Sequence, residues 1–497
     1  MIQVQCVVLS KLGRNCRGTD EMKLKQLIAV SVCGCGLLSS GSAHALTLLE
    51  AVQIAVASNP EIGEAISNRE AIEFELEQAR GLFRPKVDLE ASIGGEQRWR
   101  EGTETPINRD GSAGVLNRRQ AGVVISQLLF DGYESQSEVA RQASRVDGAS
   151  YRVMERAEFI SLSVVREYIE ILRMRRIVGL LVENEQYHAN LLGKLSEGAQ
   201  GGSISVADKA QARERLYSAK ARTIAAREEL ADSETRFIKV VGRAIGKAST
   251  PRGVDKALPR NLDSAIGHAR LNHPSIKFAQ ADVDAANALV RKADGAFAPK
   301  ISLEGRARAA DNIDGEPGQD NNAQANVVVA WNIYNGGIDS AIRQEQIRRT
   351  DEVRMALHRI TREVEEGVRL SWDRKHLQAA RLVDLKQQLK TQNEVVRFYT
   401  EQFKIGQRSL LDLLDSQNNR VAAQVSVVTA EASVQFASYR ILASINKLQQ
   451  TLGVKPPSAV KAYAREQFDV PPTPPAETMP RYTPKDLNRE QDFTKLY

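Results

Sequence analysis

Two periods of apolar residues alternate along the chain, and the alternation runs through twice. Over about 47–83, and again over about 262–297, apolar positions recur at helical spacing, broken at Asn59-Pro60 and at His273-Pro274. Proline removes a backbone donor and disfavours a helical residue before it. Each stretch therefore predicts a short helix, a break and a longer helix. After Pro85 the period falls to two: Val87, Leu89, Ala91 and Ile93 alternate with Lys86, Asp88, Glu90 and Ser92. In the second passage Ile301, Leu303, Gly305 and Ala307 alternate with Lys300, Ser302, Glu304 and Arg306. These segments predict strands with one apolar and one charged face. Polar, Gly-rich loops over about 98–119 and 308–324 lead to returning strands at 121–130 and 325–334.

Beyond the matching turns Phe130-Asp131-Gly132 and Tyr334-Asn335-Gly336 lie segments 134–199 and 339–405, long, free of proline and poor in glycine. As helix each spans on the order of 100 Å. Each ends in a glycine-containing turn, Gly201-Gly202-Ser203 or Ile405-Gly406-Gln407, and a further helix follows over 205–241 or 410–452. Seven-residue spacing in Ala210, Tyr217, Ile224, Ala231, Ile238 and in Leu382, Leu389, Val396, Phe403 predicts coiled-coil packing.

The two passages are copies. From Leu48 to Leu89, key residues recur 214 positions later: Ala51 with Ala265, Val52 with Ile266, Ile62 with Ile276, and Gly81-x-Phe83-x-Pro85 with Gly295-x-Phe297-x-Pro299. At the Phe-Asp-Gly and Tyr-Asn-Gly turns the offset is 204, so the second loop is ten residues shorter. A length change confined to one loop implies an exposed tip. The copies predict two half-structures side by side, with repeats over 46–242 and 261–455, a linker over 243–260 and a disordered, Pro-rich tail over 456–497. Ten-residue strands of this kind suit a transmembrane β-barrel, and a soluble half-buried sheet is the alternative pattern. Four strands cannot close a barrel, for which about eight is the practical minimum. Three chains would supply twelve.

Composition adds the compartment. Residues 1–45 carry a short basic start at Met22-Lys23-Leu24-Lys25, an apolar run and small residues at Ala43-His44-Ala45, which together predict an export signal. Met22 is the expected initiator, and Val32-Cys33-Gly34-Cys35 offers a lipidation box as a rival reading. All four cysteines precede the expected cut, so a mature chain would hold no thiol and no disulfide. Its balance of 63 basic against 60 acidic residues is too mild to argue for nucleic acid. His268 and His273 lack a metal-ligand set, and no nucleotide-binding glycine fingerprint occurs in the mature chain, so neither enzyme chemistry nor a cofactor is expected.

This order of elements resembles the TolC family of outer-membrane efflux and secretion ducts. The resemblance rests on the Asn59-Pro60/His273-Pro274 repeat, the Gly-x-Phe-x-Pro pair and the Phe-Asp-Gly/Tyr-Asn-Gly turns. It rests above all on Phe403-Lys404-Ile405-Gly406-Gln407-Arg408-Ser409-Leu410-Leu411-Asp412-Leu413-Leu414-Asp415, which is similar to the second hairpin tip of the type I secretion branch. It covers about residues 46–455. It implies a mixed α and β membrane protein: a homotrimer whose twelve-stranded barrel lies in the outer membrane, in contact with its lipid, and continues as a helical coiled-coil tunnel into the periplasm. The implied partners are a periplasmic adaptor (membrane fusion protein) and an inner-membrane ABC or proton-driven transporter, with a passive export function and no catalysis. Asp412 and Asp415 resemble the acidic rings of the periplasmic entrance, and two Asp three apart do share one helix face. Dipole-complementing capping is the alternative use of an Asp at a helix start. Arg408, Asp208 and Phe403 correspond to the closed-state clamp, although Phe403 replaces a frequent Tyr and so lacks its hydroxyl. Gly201, Gly202, Ser203, Ile405, Gly406 and Gln407 correspond to adaptor-docking tips. A periplasmic coiled-coil structural or adaptor protein is the competing function.

Overall fold

The computed structural model describes residues 45–97, 115–200 and 205–474. Residues 1–44 of the expected export signal, the first loop over 98–114, the first tip with Gly201, Gly202 and Ser203, and residues 475–497 lie outside that description. The order is α1 (Leu48–Ser58), α2 (Pro60–Gly81), β1 (Lys86–Glu96), β2 (Leu116–Phe130), α3 (Glu134–Gln200) and α4 (Val206–Val241). The same six-part order follows as α5 (Leu262–Asn272), α6 (Pro274–Asp294), β3 (Lys300–Asp311), β4 (Gln319–Ala330), α7 (Ile338–Lys404) and α8 (Leu410–Ser444). Short helices α9 (Leu448–Leu452) and α10 (Ala464–Gln467) close the chain.

The repeat in sequence is a repeat in burial. Ala51, Ala55, Ala265 and Ala269 are all fully buried, and Ile62 and Ile276 occupy equivalent buried sites. The breaks at the prolines are capped alike: the Asn59 side chain accepts from Glu61 N–H at 2.9 Å, and His273 Nδ1 accepts from Ser275 N–H at 3.3 Å. Each restores a partner to an orphan donor of the second helix, whose Pro at the first position lacks a donor of its own. Small residues at α1 and α5 let both lie against the long helices, and Tyr168, Phe237, Tyr439 and Leu442 fill the space between. The Tyr168 hydroxyl sits 2.7 Å from the carbonyl oxygens of Leu46 and Ser249, and the Tyr439 hydroxyl donates to the Arg252 carbonyl at 2.6 Å. The contacts with Ser249 and Arg252 tie the linker between the repeats to the helical wall.

The four strands form one antiparallel sheet in sequence order, β1-β2-β3-β4. Its register places Leu89 opposite Val123, Val123 opposite Ala307, and Ala307 opposite Ala323. One residue along, Glu90, Gly122, Arg308 and Asn322 stand in line. Because side chains alternate across a strand, the middle of the sheet turns apolar or small residues to one face and mainly polar ones to the other, with β2 departing where Gln127 stands opposite Leu303 and Val124 opposite Arg306. The strands run further than the sequence pattern predicts at their distal ends, β2 starting at Leu116 and β4 at Gln319. Between β3 and β4 the Asn312 side chain accepts from Gly318 N–H at 3.0 Å, which tightens the connection to a short turn. At the proximal end β4 stops at Ala330, short of the expected Tyr334.

Helices continue the row of strands. Next to the sheet α2 packs on α3, α3 on α6 and α6 on α7; further away α4 packs on α3, α3 on α8 and α8 on α7. At Gly132 (φ +70°) a Cβ would lie 2.6 Å from the Ala298 Cβ and 2.8 Å from the Gly295 carbonyl oxygen. The Phe-Asp-Gly turn thus needs glycine because the two repeats cross there.

Three expectations are corrected. The final helix does not run unbroken to residue 452: Asn446 turns left-handed (φ +57°), and α9 restarts with Leu448 and Gln449 N–H donating to the buried Glu158 carboxyl. Burial pushes that carboxyl up to about 7, the two backbone donors pulling against it. The spacing of Ala210, Tyr217, Ile224, Ala231 and Ile238 does not pack within the chain. The buried face of α4 is Leu216, Ala219, Thr223, Ala226 and Phe237, and the heptad line faces outward. Nor is the tail disordered from residue 456. Residues 458–474 run along α3 and α6, where Asp147 accepts from the backbone N–H groups of Tyr463, Ala464 and Arg465. Val470 and Ala464 enter a small core with Leu76, Ala79, Val139 and Val146. Pro-rich composition is no bar to order when buried carboxylates supply the backbone with acceptors.

Candidate functional site

The far ends of the hairpins meet in a small apolar knot. Leu195 of α3, Ala212 of α4, and Leu410 and Leu414 of α8 are buried there, with Phe403 of α7 packed against them. Phe403 therefore acts by packing, which needs no hydroxyl. Gly406 (φ +75°) reverses the chain, and Gln407 N–H donates to the Gln402 carbonyl at 2.9 Å. Ile405, Gly406 and Gln407 are exposed on the resulting tip.

Asp412 sits in the first turn of α8. Its backbone N–H donates to Ser409 Oγ at 3.1 Å, and the Ser409 hydroxyl donates back to its carboxylate at 2.8 Å. This is helix capping, with half the carboxylate left to solvent. Asp208 holds the equivalent first-turn place in α4, after the N-cap Ser205. Arg408 does not reach Asp208. Its guanidinium stacks over the Tyr399 ring at 4.2 Å, donates to Gln402 Oε1 at 3.3 Å and lies 3.8 Å from Asp412. All three partners belong to its own hairpin.

A different pair joins the hairpins. Arg215 of α4 donates to Asp415 of α8 at 3.1 Å. Sequence reading missed Arg215 because its partner is 200 residues away. The repeat offset of 204 carries it onto Asn419 and carries Asp415 back onto Gln211, so neither charge has a counterpart. Just beyond this pair, towards the sheet, lies a buried polar layer. Gln417 Nε2 donates to Asn184 Oδ1 at 3.2 Å, both side chains being buried. His188 is 1 % exposed, and neither ring nitrogen has a hydrogen-bond partner.

Burial pushes the His188 pKa below its ordinary value; Arg215 and Arg222 push the same way, and Glu214 opposes them. A base with a lowered folded pKa contributes fully above its unfolded value, about 6.5, and its contribution is lost as pH falls through the folded one. Wild-type thermal stability should therefore drop from pH 7.5 to pH 5.5 more steeply than that of His188→Leu. Parallel slopes for the two proteins would show that His188 is not the group held neutral.

No cluster of His, Cys, Asp and Glu suited to a metal occurs among the described residues. No helix among them is long and apolar enough to cross a membrane, which says nothing of a β-barrel. The sequence pattern that defines the outer membrane efflux proteins matches residues 51–243 and 265–447, one passage in each repeat. The chain belongs to the outer membrane efflux protein family.

Membership places it in the outer membrane. It is 25% identical over 426 residues to the outer membrane efflux protein BepC of Brucella suis biovar 1 (strain 1330), covering 85% of this chain and 91% of that one. To the outer membrane protein TolC of Escherichia coli (strain K12) it is 20% identical over 443 residues, covering 86% and 85%. The fold is similar to that of the Campylobacter jejuni CmeC outer membrane channel, with a TM-score of 0.70 at 17% identity, over 81% of this chain and 86% of that one. The TolC resemblance read from the hairpin motif thus belongs to the whole fold. In this family member the hairpins are joined by Arg215 and Asp415.

Proposed function

We propose that three copies of this chain form a passive export duct. Their twelve strands close a barrel in the outer membrane, and their helices form a periplasmic tunnel whose free end is the gate. One observation carries this reading: the sheet and the helical row share the same unfinished edges. β1 and β4 each lack a strand on one side. In the helical row the outer members are α2 and α7 next to the sheet and α4 and α7 further away. Tyr217, Ile224 and Ile238 of α4 are exposed at 62, 65 and 45 %, and Leu370, Leu377 and Val383 of α7 are comparably bare. An open sheet edge invites pairing, and an uncovered heptad line invites a partner helix. Copies joined α4 to α7 and β1 to β4 satisfy both at once, and a closed ring leaves no edge. The two-faced sheet then has its apolar face to lipid and its charged face to the lumen.

In this assembly Asp412 and Asp415 ring the narrow end three times over, while the contacts of Arg408 with Tyr399 and Gln402, the packing of Phe403 and the Arg215–Asp415 pair hold it shut. The tips at Gly201, Gly202, Ser203, Ile405, Gly406 and Gln407 are the docking sites for a periplasmic adaptor, which couples the duct to an inner-membrane ABC or proton-driven transporter. Energy and choice of cargo come from that transporter. The purified chain should give stepwise ionic conductance in a planar bilayer, and a chain that never conducts would contradict the duct. Ile224→Arg should leave the single chain's helix content unchanged, since the side chain is exposed there, but put a charge into the seam. The expected result is loss of the assembly to single chains by light scattering, and loss of conductance with it. An intact assembly would place the seam elsewhere.

A further inference from the structure

We propose that the junction of strands and helices holds an anionic phospholipid, its phosphate bound by Arg84 and Arg291. The proposal rests on the barrel reading above, which fixes the strand ends at the membrane surface. Aromatic residues are only 5% of the chain, yet one lies exposed at each of the four junctions: Phe83, Tyr133, Phe297 and Trp331. The Trp331 indole N–H donates to the Phe297 carbonyl at 3.2 Å, leaving its ring outward. Tyr133 and Trp331 carry the polar handle that favours the boundary between hydrocarbon and water, and Phe83 and Phe297 add apolar area at the same level.

Beside two of these rings is a half-open groove of about 940 Å³ over the start of α3, between the ends of α2 and α6, floored by Phe468 and its neighbours. It is walled by Arg80, Arg84 and Arg291 on the charged side and by Phe83, Tyr133 and Phe468 on the apolar side. Arg80 is engaged with Glu77 and lies 5.8 Å from the Phe468 ring centroid. Of the acids on the wall, Asp294 is paired with Arg343 at 2.6 Å and Asp469 is exposed. Arg84 and Arg291 are exposed, and their guanidinium groups make no ion pair or hydrogen bond among the described residues. Two uncommitted guanidinium groups next to bare aromatic rings fit a phosphate that carries acyl chains, which would run from the groove onto the apolar face of the sheet. A free phosphate would use the arginines but gain nothing from the rings. The groove lies over α3, between α2 and α6, and in the proposed ring its α2 wall stands beside the α7 of the neighbouring copy.

The test is native mass spectrometry of the full chain, extracted in detergent, delipidated and then offered equal phosphatidylglycerol and phosphatidylethanolamine. Phosphatidylglycerol should be retained over phosphatidylethanolamine by on the order of tenfold, and Arg84→Gln with Arg291→Gln should remove that preference while leaving assembly and conductance intact. Equal retention of the two lipids, or an unaltered preference in the double variant, would overturn the proposal. So would displacement of the lipid by millimolar inorganic phosphate, which would make the groove a site for free anions. A chain that neither inserts nor conducts fails the duct reading, whereas one that conducts without lipid preference fails this inference alone.

Discussion

Arg465→Ala is expected to be among the most destabilising single substitutions in the described part of the chain, by about 3–5 kcal/mol. The guanidinium bridges two buried carboxylates. Nε lies 3.0 Å from Asp147, whose side chain is 4 % exposed, and Nη1 lies 2.6 Å from Asp284, whose side chain is fully buried. Nη2 donates to the Tyr151 hydroxyl at 3.2 Å. Removing the cation leaves two buried acids, one in α3 and one in α6, without their counter-ion. The loss comes from those stranded charges more than from the missing contact. Arg465→Lys keeps the charge but not the fork and should fall between wild type and alanine. Adding Asp284→Asn to Arg465→Ala should recover part of the loss, as coupled sites do. Thermal unfolding in detergent reads all three. A loss below about 1 kcal/mol for the alanine would place the tail on the wall as a passive covering.

The second large effect is on ion selectivity. In the proposed trimer, Asp412→Asn with Asp415→Asn removes six negative charges from the narrow end. Asparagine keeps an oxygen that can accept from Ser409, so the cap of α8 is retained while the charge goes. Cation preference should collapse, and block by a trivalent cation should weaken by at least about tenfold, since carboxylates at close range each contribute on the order of a kcal/mol or more. Asp415 also holds Arg215, so the double variant opens as well as neutralises. Arg215→Gln separates the two effects. It should raise the open fraction with cation preference kept, whereas Asp412→Asn alone should lower preference with the open fraction kept. Unchanged selectivity in the double variant would remove both residues from the conducting path.

Most of the architecture was legible because it is local and repeated. The period-two runs after Pro85 and Pro299 became β1 and β3, the Asn-Pro and His-Pro steps became capped breaks, and the 214-residue offset maps buried alanine onto buried alanine. What escaped is what depends on distant partners. The order in residues 458–474 comes from Asp147 and Asp284, acids placed beside Val146 and Val283 on the inward faces of long helices. A carboxylate on an apolar face was the available signal, and it was lost among many exposed charges. Arg408 shows the opposite failure. Its motif is plain, but the flexible side chain settles on Tyr399 and Gln402 beside it, while the cross-hairpin link falls to Arg215, which no motif marks. The heptad on α4 is plain in the sequence, but its residues are left bare by this chain. In the proposed ring a second copy covers them.

That bare seam makes the number of chains in one particle the central quantity. The mass of the detergent-extracted protein, measured by native mass spectrometry, should correspond to three copies. A particle of one or two copies, with helix content intact, would contradict the duct.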